Sequence, residues 1–143
     1  MAYKSKYKPQ NPDKYVGDIT KIVCRSTWER KVCKFLDFNE NVISWASEEI
    51  AIPYFSHVDE KWHKYYPDFI CEIKNNQNKV DKLIIEVKPL KQTKPPKENK
   101  DKRKYLREMK TFAINNYKWE AAKEFCSKNG WVFKILTEKD IFK

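Results

Sequence analysis

Asp68 in "YYPDF" (65–69), and Glu86 and Lys88 in "LIIEVKP" (83–89), are charged residues inside otherwise apolar, strand-like stretches. Burying an unpaired charge costs on the order of several kcal/mol per ion, so something must hold these groups charged. Alternation along the second stretch sends Leu83, Ile85 and Val87 to one face and Ile84, Glu86 and Lys88 to the other. A hairpin folded about Gln77 sets Asp68 opposite Glu86, with Cβ atoms about 4.5–5.5 Å apart. Two carboxylates at that separation repel unless a cation lies between them. Mg²⁺ is commonly held by one or two carboxylates together with phosphate oxygens and water. Lys88, on the same face as Glu86, would then reach the scissile phosphate or the attacking water. The inference depends on register, because a slip of one residue sends Asp68 to the other face. The plainer alternatives are that Asp68 and Glu86 are exposed edge residues and that Lys88 merely opens a basic loop.

The elements that must position these groups can be read from periodicity. A helix is predicted at "RSTWERKVCKFLDFN", with Ser26 as N-cap and Trp28, Val32, Phe35 and Leu36 on its buried face. Strands are predicted at 41–47 and 49–56, the second an edge or bulged strand because of Pro53. Two more follow at 61–74 and 79–89, joined by the polar turn "NNQN". The Pro- and Lys-rich stretch 89–100 reads as a loop. It leads to a helix at 101–115, with Tyr105, Met109, Phe112 and Ala113 facing inward. A second helix is predicted at 117–130, with Trp119, Ala122 and Cys126 inward and Gly130 as its stop. A strand at 131–137 and a short turn, "EKDIF", close the chain. The order of elements predicts an α/β fold with a central mixed sheet flanked by helices. Two regions are expected, a basic irregular N-terminal arm at 1–18 and one domain at 19–143.

The composition narrows the function. The 143 residues include five Trp, eight Tyr and eight Phe, enough for one core. No apolar run approaches the roughly 20 residues of a membrane span. The start, "MAYKSKYKPQ", has no apolar signal region, so a cytoplasmic protein is expected, with no membrane partner. The four cysteines form no C-x-x-C pair; Cys33, Cys71 and Cys126 fall in apolar patterns and read as core. His57 and His63 lack a metal-binding spacing and read as surface or edge residues. The net charge of +10 and the pI near 9.4 point to a polyanion, most often nucleic acid. Residues 88–104 carry a net charge of +6 and residues 1–15 a net charge of +3. Lys91, Lys94, Lys97, Lys100, Lys102, Arg103 and Lys104 are therefore the candidate DNA-binding residues. The alternative is that these runs are only solvated segments.

Pro67-Asp68 followed by Glu86-Val87-Lys88 resembles the signature of the PD-(D/E)xK nuclease superfamily. Many of its members also carry a Glu on the first core helix, and Glu29 in "STWER" matches that position. Ser26-Thr27-Trp28-Glu29, "YYPDF", "EVKP" and Thr137-Glu138 together resemble the TnsA-type transposon-end endonucleases and the head-completion nucleases of large tailed phages. The resemblance spans about 24 to 140. It implies a restriction-endonuclease-like core, with Glu29, Asp68, Glu86 and Lys88 as catalytic residues. Asp68, Glu86, the backbone of Val87 and Glu29 would bind Mg²⁺ or Mn²⁺. Ser26 and Glu29 also spell a capping box, which accounts for Glu29 without chemistry. Glu48 or Glu49 could approach the metal, although a solvated turn explains both. Trp45, Trp62 and Tyr65 or Tyr66 are candidates to flank the cleft.

The reading is a metal-dependent endonuclease acting on double-stranded DNA, resembling a head-completion nuclease, with phage head or portal proteins as candidate partners. One alternative is a transposase-type, repair or junction-resolving nuclease of the same superfamily. Another is a non-catalytic DNA-binding or assembly protein.

Overall fold

The structure, a computed structural model, describes residues 4–142. Residues 1–3 of the expected arm and residue 143 of the expected domain lie outside the described residues. The central sheet has four strands in the order β3 (Val42–Ser47), β6 (Phe69–Lys74), β7 (Val80–Val87), β8 (Val132–Leu136). β6 runs antiparallel to both β3 and β7. β8 joins β7 in parallel, after the helical crossover that parallel pairing requires. The sheet is therefore mixed, and α1 (Thr27–Phe38) and α2 (Lys102–Asn129) flank it on opposite faces, as expected. Alternation along β7 sorts the two cores. Ile85 and Val87 pack with Val32, Cys33 and Leu36 of α1, while Ile84 packs with Trp119, Ala122 and Cys126 of α2. No helix among the described residues is long and apolar enough to cross a membrane.

The stretch 61–74 is not one strand. It divides into β5 (Lys61–Tyr65), which pairs with β4 (Ile52–Ser56) in a separate ribbon, and β6 of the central sheet. Pro67 has no N–H to donate to a ladder, and the chain changes sheets there. The two helices expected at 101–115 and 117–130 are one helix of 28 residues. Neither Gly nor Pro interrupts it, and Asn116 bonds back to the carbonyl of Phe112 at 2.8 Å without breaking the helix. At about 1.5 Å per residue α2 is about 42 Å long, far longer than β8, so its first turns overhang the sheet. Met109, expected inward, is consequently exposed, as is Leu106. Gly130 ends the helix in the left-handed conformation, at φ 71°, as expected.

On α1 the buried stripe is Val32, Cys33, Leu36 and Asp37, and Phe35 is exposed. The stripe turns toward Asp37 because the N-terminal segment docks there. The segment read as an irregular arm is, over residues 4–18, part of the packed body. Its short strand β1 (Ser5–Lys6) pairs with β2 (Val23–Cys24). Tyr7 and Tyr15 are buried with their rings edge-on to Trp45, 6.2 and 4.7 Å away. Asp37 accepts hydrogen bonds from the Tyr7 hydroxyl at 2.6 Å and from the N–H groups of Gln10 and Asn11 at 2.8 and 2.9 Å.

Candidate functional site

The β6–β7 ladder runs from Lys74 opposite Val80 to Phe69 opposite Ile85, which is the register expected from the turn. One step further, Asp68 lies across from Glu86, but no ladder pair forms there. Asp68 uses its side chain instead: Oδ2 accepts the N–H of Val87 at 2.7 Å. The hairpin thus brings Asp68, Glu86 and the Val87 backbone together at one end of the sheet. Lys88 follows, half-buried, its N–H bonded to the Leu136 carbonyl of β8 at 2.9 Å.

The first turn of α1 points at the same end. Ser26 caps the helix, its Oγ accepting the Glu29 N–H at 3.1 Å. The Glu29 carboxylate reaches back to the N–H of Arg25 at 3.2 Å and to the Ser26 hydroxyl at 3.4 Å. Glu29 is therefore engaged in capping and is also close enough to act on Asp68 electrostatically. Burial, Glu86 and Glu29, in that order, hold the Asp68 carboxyl well above the usual carboxylate range. Burial raises Glu29 too, against the lowering pull of the Arg25 N–H, with Glu48 adding to the rise.

Glu48 is a fourth carboxylate at this end, the nearer of the two residues for which the sequence left both an approach to the site and a solvated turn open. Glu48 has a positive φ of 54°, its N–H bonds to the Asp68 carbonyl at 3.2 Å, and Arg25 grips its carboxylate at 3.0 and 3.3 Å. Nothing in the spacing of Arg25 and Glu48, 23 residues apart, announces that pair. Glu49 turns to the Tyr15 hydroxyl, 3.4 Å away.

The donors at this end are all oxygens, which suits a hard divalent cation rather than zinc. Asp68 accepts the Val87 N–H, and its carboxyl otherwise lies against that of Glu86 rather than against a basic side chain. Among those residues no three His, Cys, Asp or Glu side chains converge on one point in the manner of a closed metal cage. Two carboxylates are nevertheless as many as a Mg²⁺ site commonly takes from a protein, and the crowded pair Asp68 and Glu86 fits that demand.

The aromatic candidates separate. Trp45 is wholly buried in the α1-side core and lines no cleft, Trp62 and Tyr66 are exposed, and Tyr65 is buried beside Glu86. Trp119, read from the sequence only as core, donates its indole N–H to Glu86 Oε2 at 3.4 Å. An indole on a helix face carries a polar handle as well as a ring, which was the available signal. Thr137 and Glu138 also find a place. Thr137 caps the short α3 (Glu138–Ile141), and Glu138 Oε1 accepts the Leu90 N–H at 2.7 Å, pinning the start of the basic loop. Lys91, Lys94, Lys97, Lys100, Lys102, Arg103 and Lys104 are all exposed and none forms an ion pair among the described residues. Arg107 and Lys110 continue the run on the overhanging part of α2.

A family model described as TnsA-like endonuclease N terminal matches residues 39–138. The chain belongs to this endonuclease family. The matched segment of the TnsA-like domain takes in Asp68, Glu86, Lys88 and the basic loop, and begins after Glu29. The head completion nuclease of Enterobacteria phage T4 is similar over nearly the whole chain. It is 38% identical over an alignment of 143 positions that covers 96% of this chain and 93% of that protein. The mixed sheet between helices is accordingly a restriction-endonuclease-like core, and the chain is a nuclease by family.

Proposed function

We propose that this chain is a divalent-metal-dependent endonuclease of double-stranded DNA, and that it serves in completing the head of a tailed phage. The crowding of Asp68 against Glu86 at the end of the β6–β7 hairpin carries the chemical half of this reading. Asp68 and Glu86 would hold Mg²⁺ or Mn²⁺, with the Val87 backbone beside them and Glu29 at the rim. When bound, the ion supplies Lewis acidity for attack on a phosphodiester and for departure of the leaving oxygen. Lys88, two residues after Glu86, orients the nucleophile and offsets the charge that develops on the phosphate. Glu29 is held by its own capping contacts and fixes the approach to Asp68. The exposed basic residues from Lys91 to Lys110 grip the DNA backbone without reading bases.

The near full-length correspondence with a head completion nuclease supports the phage role over the transposase-type one. Head or portal proteins are then the expected partners, met in the host cytoplasm or on the particle. The test of the chemistry is nicking of supercoiled plasmid with Mg²⁺ or Mn²⁺, with and without chelator, for the wild type and for Asp68→Ala, Glu86→Ala and Lys88→Ala. Nicking at the wild-type rate by Asp68→Ala sinks the site assignment. The test of the role is whether this chain restores infectious particles to a phage lacking its head completion nuclease.

A further inference from the structure

Glu86 is the most enclosed carboxylate of the site, and its enclosure comes from outside the hairpin that bears it. Trp119, from the middle of α2, is buried and donates to Glu86 Oε2 at 3.4 Å. Tyr65, the last residue of β5, is buried on the same side of the sheet, in the cluster that holds Trp119 and Ile84. Its hydroxyl is sealed from solvent and makes no well-formed hydrogen bond among the described residues, the Glu86 carboxylate lying beside it. Burial first, and the charge of Glu86 second, raise the pKa of that hydroxyl, so the two groups are near neighbours. An unpaired buried hydroxyl is destabilising. A phenyl ring would fill nearly the same volume without that penalty, so packing alone does not account for a tyrosine at this position. The Tyr65 ring is further held under Lys118, whose Nζ is 5.8 Å from its centroid.

We infer that Tyr65 and Trp119 are positioning residues for Glu86. Their O–H and N–H groups hold the carboxylate from behind, so that it faces Asp68 across the hairpin. The Tyr65 hydroxyl, sealed from solvent, has the Glu86 carboxylate as its acceptor when that carboxylate is set toward a cation. The β4–β5 ribbon and α2, both outside the β6–β7 hairpin that brings Asp68 and Glu86 together, thereby act on the site through one carboxylate. This rests on the reading that Glu86 binds the ion. Partners that orient a metal ligand in this way typically account for about 10–100-fold in metal affinity or activity.

The experiment compares wild type, Tyr65→Phe, Trp119→Phe and Glu86→Gln. Mn²⁺ binding is measured by calorimetry on DNA-free protein, alongside melting temperature and the kcat and KM of plasmid nicking. Tyr65→Phe is expected to melt at or above the wild-type temperature, because only an unpaired hydroxyl is removed. It should nevertheless bind Mn²⁺ about 10–100-fold more weakly, with kcat lowered and KM for DNA unchanged. Trp119→Phe should weaken Mn²⁺ in the same direction, while Trp119→Ala, which also empties the core, should lose stability as well. If Glu86→Gln loses Mn²⁺ while Tyr65→Phe and Trp119→Phe bind it as the wild type does, the positioning role is wrong and the metal reading stands. If Glu86→Gln itself binds Mn²⁺ normally, the metal reading fails and this inference fails with it.

Discussion

Asp37 and Asp68 are both aspartates taken into the body of the protein, and their surroundings are opposite. Asp37, at the end of α1, is wholly buried and receives a hydroxyl and two backbone N–H groups. Burial pushes its carboxyl up, but those hydrogen bonds from Tyr7, Gln10 and Asn11 together outweigh burial and hold it below the usual range. Asp68, at the start of β6, receives one N–H and faces Glu86 and Glu29, and its carboxyl is held well above that range. The contrast teaches what separates a structural buried carboxylate from one poised for chemistry. The first has its hydrogen-bonding capacity met by the protein, and the second is left short of positive charge that a ligand can bring.

The largest expected effect tests the Asp68 side of this contrast. Asp68→Ala and Glu86→Ala should each lower plasmid cleavage by more than the roughly 100-fold that loss of an outer hydrogen bond causes. Their metal-free melting temperatures should stay nearer that of the wild type than Asp37→Ala does, since relief of repulsion offsets the one donor each leaves behind, the N–H of Val87 or of Trp119. A cooperative loss of folding in both variants would place these residues with Asp37 as structural groups.

Asp37→Ala should do the reverse. The buried Tyr7 hydroxyl loses its acceptor, at about 1–3 kcal/mol, the part-buried N–H groups of Gln10 and Asn11 lose theirs at less, and residues 4–18 lose their anchor on α1. Urea denaturation should show a loss on the order of 1–3 kcal/mol, with cleavage per folded molecule retained. The pH dependence has a definite sign. A carboxyl whose pKa is lower folded than unfolded stabilises above its unfolded value, near 3.9, and that contribution is lost as pH falls through the folded value. The stability gap between wild type and Asp37→Asn should therefore be largest near neutrality and narrow below about pH 4. A gap that widens in acid would contradict the hydrogen-bond account of Asp37.

Glu29 stands between the two cases, since it is both a capping group and a neighbour of Asp68. Gln can keep the bond from the Arg25 N–H, so Glu29→Gln should melt close to the wild-type temperature. Cleavage should fall by about 10–100-fold if the charge contributes to the site. Wild-type cleavage would assign Glu29 to capping alone.

The smallest effect on chemistry is expected on the exposed basic surface, where no single position is fixed by packing. Replacing Lys94, Lys97 and Lys100 with Gln should lower the slope of log K against log salt by up to roughly 3, at about 0.9 per phosphate contact. The binding titration would use Asp68→Ala protein. Cleavage at saturating DNA should change far less, because binding shared by ground and transition states does not speed the chemical step. Identical salt slopes would mean that the run is a solvated segment and that the DNA lies elsewhere.

Much of the β6–β7 hairpin was legible in the sequence. The turn "NNQN" and the alternation of Ile84, Ile85 and Glu86 set the register, because a slip would have buried the wrong face. Ser26 and Gly130 marked helix ends for the same kind of local reason. The errors came where local signals were silent about packing. The chain from Lys61 to Lys74 alternates well enough for one strand; Pro67 within it was the local signal of a break, and the separate pairing of β5 with β4 shows two. Asn115 and Asn116 look like a break, yet α2 continues through them because nothing there forbids it. Tyr7 and Tyr15 sit in a Lys- and Pro-rich segment, and their burial depends on Trp45 and Asp37, which come later in the chain.

By itself, then, the sequence determined the strand register, the carboxylates that meet across it, the excess of positive charge and where most of it lies. Each of these follows from side-chain periodicity, turn chemistry or composition, which are properties of neighbouring residues. Tertiary structure alone decided which buried carboxylate is satisfied and which is left poised. It also decided that Arg25 grips Glu48 and that Tyr65 and Trp119 close around Glu86. Those outcomes depend on donors from distant parts of the chain arriving within hydrogen-bonding distance, and that distance is set by how the helices and the ribbon pack on the sheet.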